Sequence, residues 1–234
     1  GRGDVVVEIG PGTGQLTAAL LEAGARVTAI EFDSDMIAAL RDRFPRPGGD
    51  LDVVSADILA FDWSSLPSGR PLVKLVGNLP YNISTRILKQ SAEAKDRFES
   101  FTFMVQKEVA ERVIASPGSK AYGYFSVLME YHFERRRGFD VPPGAFQPRP
   151  KVMSHVMRLE PKRPDFEVPD YGRFERLLAG AFAHRRKTLW NNLVAQGTPP
   201  SRLTEALCGA GLDPKTRAER VTLEQFVCLA RLLV

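Results

Sequence analysis

Cysteine is nearly absent from this chain, with only Cys208 and Cys228 in 234 residues. Their positions give neither a metal-ligand spacing nor a disulfide framework, so a reducing, cytoplasmic setting is expected. Histidine is equally scarce. His132, His155 and His184 are too scattered to suggest a zinc site, and no metal is expected. Long apolar runs are missing as well: nothing approaches the roughly 18–20 residues that a membrane helix needs, which excludes a membrane partner of that kind. Gly1-Arg2-Gly3-Asp4 leads directly into an apolar segment, so no signal peptide is expected. Charge of one sign is in small excess, +4 at neutral pH, but it is unevenly placed. Residues 1–160 hold 20 Lys/Arg against 20 Asp/Glu, and residues 161–234 hold 12 against 8. A basic tail on a neutral body suits a polyanionic partner, although a solvated helical face has the same charge signature.

What is present is ordinary for a globular chain, 44% hydrophobic and 26% charged, and long enough for one large domain and a small one. Val5 to Ile9 reads as a buried strand, ended by Gly10-Pro11-Gly12-Thr13-Gly14. Leu16, Ala19, Leu20 and Ala23 then recur at helical spacing up to Gly24. Arg26 to Ile30 is a second strand, and Asp35 to Phe44 a second helix broken at Pro45. Further strands are expected at Leu51–Ser55, Leu72–Gly77 and Phe101–Val105, with a helix from Lys107 to Ala115. Repeated strand–helix units imply a parallel sheet covered by helices on both faces. After Pro117 the pattern changes. Val127, Met129, Tyr131 and Phe133 alternate at period two, which predicts a long strand, and Val152 to Leu159 reads similarly. Pro161, Pro164 and Pro169 mark a linker, beyond which Phe174, Leu177, Leu178, Ala181 and Phe182 share one helical face and Leu223–Leu233 forms another helix. The expected division is therefore an α/β domain over 1–163 and a small all-helical domain over 164–234.

Three strand ends carry candidate ligand groups. Glycines in Glu8-Ile9-Gly10-Pro11-Gly12-Thr13-Gly14 permit a tight turn and a close approach of a ligand to the backbone, as a dinucleotide loop or a plain structural turn also would. Glu31 ends the second strand, 21 residues after Gly10, where a carboxylate can accept both hydroxyls of a ribose. Asp57, followed by Ile58, ends the third and can accept from an adenine amino group. Each acid alone equally suits a helix cap or a surface charge. Together, at the carboxyl ends of consecutive strands, they line one crevice that fits adenosine with a cationic tail.

Asn78-Leu79-Pro80-Tyr81 follows the fourth strand and is the most specific motif in the chain. An adenine amino nitrogen is a poor nucleophile because its lone pair is delocalised into the ring. An asparagine carbonyl and a main-chain carbonyl, held by proline, can accept both amino hydrogens and stabilise the charge that develops on nitrogen during alkylation. The Tyr81 ring can pack beside the base, and no strong general base is required. An Asn-Pro turn after a strand is the plainer alternative. Phe146, in the Pro-rich stretch Phe146-Gln147-Pro148-Arg149-Pro150-Lys151-Val152, is either a core residue or an aromatic that stacks on an unpaired base, a contact worth about 1–3 kcal/mol. Such a base must be single-stranded or extruded. Arg149, Lys151 and the Arg185-Arg186-Lys187 run are candidate phosphate contacts, whereas Arg135-Arg136-Arg137 reads as a solvated strand end.

With these motifs assembled, the chain resembles the bacterial small-subunit (16S) ribosomal RNA adenine dimethyltransferases, the kasugamycin-resistance methylases. The resemblance runs through Glu8–Gly14, Ala29–Asp33, Gly77–Thr85, Val105–Ala115, Val141–Val152 and Ala181–Leu193, nearly the whole chain. It implies a Rossmann-like class I methyltransferase domain, with a mostly parallel seven-stranded sheet whose last strand is antiparallel, and a helical domain that docks RNA. It also implies S-adenosylmethionine as cofactor, S-adenosylhomocysteine as product, and transfer of two methyls to each of two adjacent adenines near the 3′ end of 16S rRNA in assembling small subunits. A cytoplasmic monomer is expected. By position, Glu8, Gly10, Gly12, Gly14, Glu31, Asp57, Ile58 and Asn78 would hold the cofactor. Asn78, Leu79, Pro80 and Tyr81 would hold the base, with Phe146 stacked on it. Family members begin some tens of residues earlier, with a basic segment and a Gln-Asn-Phe-Leu stretch, so an amino-terminal segment is expected to be missing here. The large-subunit methylases of macrolide resistance are the nearest rival; they more often carry Ile where Leu79 stands.

Overall fold

The computed structural model describes residues 2–45, 49–66 and 73–233. Leu72, expected to open the fourth strand, lies outside the described residues. Contacts divide the chain into two compact units, one of Gly1–Ala110 with Glu134–Pro161 and the other of Glu111–Phe133 with Lys162–Val234.

The first unit is an alternating α/β body. In chain order it contains β1 (Val5–Ile9), α1 (Gln15–Glu22), β2 (Arg26–Glu31), α2 (Ser34–Arg43), β3 (Leu51–Ser55), β4 (Val73–Asn78), α3 (Ser84–Glu93), β5 (Phe98–Gln106) and the start of α4 (Lys107–Ile114). After α5 (Tyr124–His132), the chain returns to the sheet as β6 (Phe133–Val141) and β7 (Ser154–Pro161). The seven strands lie in the order β3-β2-β1-β4-β5-β7-β6. β1 pairs in parallel with β2 and β4, β2 with β3 and β4 with β5, while β7 runs antiparallel to β5. This is the class I methyltransferase arrangement. Val6, Val7, Ile9, Val27, Ile30 and Leu75 are all 3% exposed or less, as strands covered on both faces require. β6 ends the strand order and carries mostly exposed charge, including Arg136 paired with Glu160 at 2.9 Å, a composition that discourages pairing with foreign strands.

The second unit is helical, built from α5, α6 (Tyr171–Ala181), α7 (Leu189–Ala195), α8 (Pro200–Gly209) and α9 (Leu223–Leu233). Tyr122, Val127, Phe174, Leu178, Leu203, Leu207 and Phe226 form one core there. One expectation fails in this unit. Val127 to Phe133 is not a long strand: residues 127–132 belong to α5, and only Phe133 begins β6. Val127, Met129 and Tyr131 are buried, but so are their chain neighbours Ser126, Leu128 and His132. A helix buried on nearly every side has no single polar face, so its period cannot be read from where its apolar residues fall.

Candidate functional site

Strand register places the candidate residues on one rim. Ile9 is level with Ile30 and with Gly77, and Glu31 is level with Ser55. The loop from Gly10, the Glu31 carboxylate, Asp57 and Asn78 therefore follow the carboxyl ends of four adjacent parallel strands, the place where open α/β sheets take ligands. β1 and β4 approach closely here. A Cβ on Gly77 would lie 2.8 Å from the Ile9 carbonyl oxygen, so only glycine permits that pairing.

The loop after β1 is built on positive backbone angles. Gly10, Gly12 and Gly14 have φ of 63°, 55° and 78°, values that disfavour any side chain. Gly10 N–H donates to the Ile30 carbonyl at 3.0 Å and Gly14 N–H to the Pro11 carbonyl at 3.0 Å. Arg43, in the last turn of α2, donates to the Thr13 carbonyl at 2.6 Å. Gly10 and Gly12 face open space, with no atom within 4 Å of where a Cβ would stand, whereas a Cβ on Gly14 would meet Leu40 and Phe44 at 2.8 Å. The first two glycines thus leave room for a ligand, and the third lets the loop pack on α2.

Glu31 is held in place by main-chain donors. Its Oε1 accepts from Phe32 N–H at 2.8 Å and Asp33 N–H at 3.0 Å, and its Oε2 accepts from Gly12 N–H at 3.3 Å. That longer contact leaves Oε2 the greater capacity for a further donor. Asp57 Oδ1 accepts from Leu59 N–H at 2.8 Å, and Gln90 of α3 braces the same turn by donating to the Leu59 carbonyl at 2.7 Å. Ile58 is 7% exposed. Glu8 lies within the sheet at 2% exposure, where its Oε2 accepts from the Thr17 hydroxyl at 2.6 Å. Burial pushes its carboxyl above the ordinary glutamate range, and the Thr17 bond opposes part of that shift. This bond joins β1 to α1 beneath the glycine loop.

The loop after β4 is fixed at its backbone. Leu79 N–H donates to the Met104 carbonyl at 3.0 Å, and the Leu79 side chain is 1% exposed. Pro80 O accepts from Ile83 N–H at 3.2 Å and Tyr81 O from the Ser84 hydroxyl at 3.2 Å. Asn78 is exposed at the strand end. The Tyr81 hydroxyl meets Ser154 Oγ at 2.6 Å, a partner that sequence reading did not select. Phe146 is half-buried after a short turn over Pro143–Ala145, and Arg149 and Lys151 are exposed in the loop that continues toward β7.

In the helical unit Arg186 and Lys187 are exposed, while Arg185, also exposed, donates to the Lys120 carbonyl. Asn192, 2% exposed, donates to the Ala181 and His184 carbonyls at 2.7 and 3.1 Å and so supports the start of this basic turn. A cavity of about 360 Å³ in the same unit is rimmed by Arg173, Arg176 and Arg202 over Leu177, Leu193 and Leu233. None of these arginines was singled out from sequence, because they are far apart in the chain and form no run. Phe32 is 77% exposed beside Glu31; a lone aromatic after an acid gives no sequence signal. Among the described residues no group of three or more His, Cys, Asp or Glu is placed to hold a metal, and no helix is long and apolar enough to cross a membrane.

The residues present fit S-adenosylmethionine. Open space lies over two glycines, an immobilised carboxylate stands at the second strand end, and a second acid stands at the third. A family profile described as ribosomal RNA adenine dimethylase matches residues 2–233. The ribosomal RNA small subunit methyltransferase A of Laribacter hongkongensis is 46% identical over 232 residues, covering 97% of this chain and 84% of that protein. Among solved structures, a dimethyladenosine transferase from Plasmodium falciparum has the same fold with a TM-score of 0.79, at 24% identity over 97% of this chain and 89% of the other. The 23S rRNA methyltransferase ErmE gives a TM-score of 0.72 at 29% identity, covering 99% of this chain and 92% of that one. The small-subunit relative is thus much closer in sequence than the large-subunit enzyme. This chain belongs to the ribosomal RNA adenine dimethylase family.

Proposed function

We propose that the protein dimethylates the exocyclic amino groups of two adjacent adenines near the 3′ end of 16S rRNA, using S-adenosylmethionine, during assembly of the small ribosomal subunit. The observation that carries this reading is the rigid Asn78–Tyr81 loop at the end of β4, beside a crevice suited to an adenosine-bearing cofactor. When bound, the cofactor supplies an electrophilic methyl group. Glu31 would receive its ribose hydroxyls, Asp57 and the buried Ile58 would border its adenine, and Gly10 and Gly12 would leave room for it, with Glu8 and Gly14 shaping the loop.

At the target base the Asn78 side-chain oxygen and a main-chain carbonyl accept the two amino hydrogens. Pro80 O and Tyr81 O each already accept one hydrogen bond, from Ile83 N–H and the Ser84 hydroxyl, which halves their capacity, and we assign the Leu79 carbonyl as the main-chain acceptor. Two fixed acceptors favour a pyramidal nitrogen and stabilise its developing positive charge, and preorganisation of this kind is usually the largest contribution to such catalysis. The nitrogen becomes acidic once methylated, so its proton needs no strong base. Tyr81 and Phe146 hold the ring of an unpaired base, and Arg149, Lys151, Arg186 and Lys187 meet phosphates. Arg185 orders its own turn through Lys120 while adding positive charge. The protein acts as a cytoplasmic monomer without a metal.

Methyl transfer from labelled S-adenosylmethionine to undermethylated small subunits, with mass-spectrometric mapping, tests the reading. Dimethyladenosine near the 3′ end of 16S rRNA is expected. Labelling confined to large subunits would replace it with the activity named for ErmE.

A further inference from the structure

A hydrogen bond that the reaction chemistry does not require ties Tyr81, one wall proposed for the base pocket, to the start of β7. The Tyr81 hydroxyl and Ser154 Oγ lie 2.6 Å apart, although the residues are 73 positions apart in the chain. We propose that Ser154 is a positioning residue for methyl transfer, fixing the Tyr81 ring and joining the Asn78–Tyr81 loop to the strand into which the Phe146 loop runs. The proposal rests on the base-binding role given above to Tyr81.

The anchor is well placed because its own surroundings are immobile. Ser154 is fully buried and begins β7, level with Gln106 of β5. The residues on either side of it are tied down. Met153 O accepts from Lys107 N–H at 2.9 Å. His155, 7% exposed, places Nδ1 2.6 Å from Asp140 Oδ1, and Lys107 Nζ lies 2.7 Å from Asp140 Oδ2. Lys107, which begins α4, and Asp140, on β6, thus clamp the start of β7 from two neighbouring elements.

On the other side, the backbone of the Asn78–Tyr81 loop is already fixed through Leu79, Pro80 and Tyr81. What those bonds leave free is rotation of the Tyr81 side chain. A phenol bonded at its tip cannot swing about its Cα–Cβ bond without losing that contact, so Ser154 fixes where the ring lies beside a base. The link is a bond between two hydroxyls, and either one can donate. It adds no charge to the site and takes no proton from it.

A purely structural tie would show in stability, whereas a positioning role shows in turnover. Ser154→Ala and Tyr81→Phe should each lower kcat on small subunits by on the order of tenfold, since small misplacements of a bound reactant are costly. KM for subunits and affinity for S-adenosylmethionine should stay within about twofold. Because the two changes remove one bond, the double variant should be no slower than either single variant. Ser154→Thr keeps a hydroxyl and should recover most of the rate, which separates loss of the bond from damage to the buried strand. A wild-type kcat in Ser154→Ala, or multiplicative losses in the double variant, would overturn the proposal. The χ1 rotamer populations of Tyr81, from three-bond couplings in nuclear magnetic resonance of tyrosine-labelled protein, give a readout independent of methyl transfer. Wider averaging over χ1 rotamers in Ser154→Ala supports the link even if the assigned RNA substrate is wrong. Equal χ1 populations in the two proteins refute it.

Discussion

Gly12→Ala separates backbone strain from ligand exclusion. Gly12 has φ of 55°, and no atom lies within 4 Å of the position a Cβ would take. The folded protein itself therefore has space for the methyl group, and its cost is the left-handed backbone alone, about 1–2 kcal/mol for a non-glycine residue. In a chain of this size each kcal/mol moves the melting temperature by roughly 2–4 °C, so a loss of about 2–8 °C is expected. Gly118 supplies the control. It has φ of 84°, nothing within 4 Å of its Cβ position, and lies in the helical unit. Gly118→Ala should lose a similar amount of stability. The two variants should part company on the cofactor. If the open space over Gly12 is where S-adenosylmethionine lies, the new methyl group should weaken binding at least tenfold, about 1.4 kcal/mol, while Gly118→Ala binds as wild type. Thermal melts and calorimetric titration measure both quantities on the same samples. Equal cofactor affinity in the two variants would refute the placement of the cofactor over this loop.

Asn78→Ala should reduce methyl transfer by at least a hundredfold, the usual cost of removing one preorganised acceptor or donor, while leaving subunit binding largely intact in a filter assay. Glu8→Gln keeps an acceptor for Thr17 and removes a buried charge. Because burial raises the folded carboxyl, wild type gives up stability as pH climbs from the ordinary glutamate range to that raised value, and the deficit stays constant above it. The variant should thus melt higher than wild type at neutral pH, and the gap should close in acid; a pH-independent difference would count against the ionisation. Arg186→Ala with Lys187→Ala should lower the slope of log affinity against log salt by about one to two units if both meet phosphates, and an unchanged slope would leave them as a solvated turn.

How much was legible in the sequence follows from the range of the interactions involved. The glycine loop, Glu31, Asp57 and Asn78 could be read directly because each follows a short apolar strand, and the parallel sheet turns strand ends into a common rim. The periodicity of α6 and α9 was likewise plain, since each has one apolar face. α5 was misread because it is buried nearly all round; Arg135–Arg137 was read as a solvated strand end, but the rest of β6 to Val141 was not marked because its exposed charges give no alternation. The partners that fix the site were not legible at all. Thr17 on Glu8, Ser154 on Tyr81, Lys107 on Asp140 and Asn192 beneath the basic turn are ordinary polar residues. Their partners are set by the folding of distant segments together, which no local pattern records.

The functional groups proposed here act mostly as hydrogen-bond acceptors in fixed places, and that shifts the demand from acidity to geometry. The Asn78 side chain and the Leu79 carbonyl do not titrate near neutral pH, so their contribution depends on where they are held. For most of the site the sheet answers that demand: Gly10, Glu31 and Asn78 inherit their positions from strands whose register admits no slip without turning buried side chains outward. Tyr81 lies three residues beyond its strand, past a proline, and inherits no such position for its ring. A side chain in that situation needs a bond of its own, and the buried hydroxyl of Ser154 at the head of β7 supplies one without placing a charge beside the base. The same reasoning accounts for the clamp around Ser154: an anchor is useful only to the extent that it moves less than what it holds.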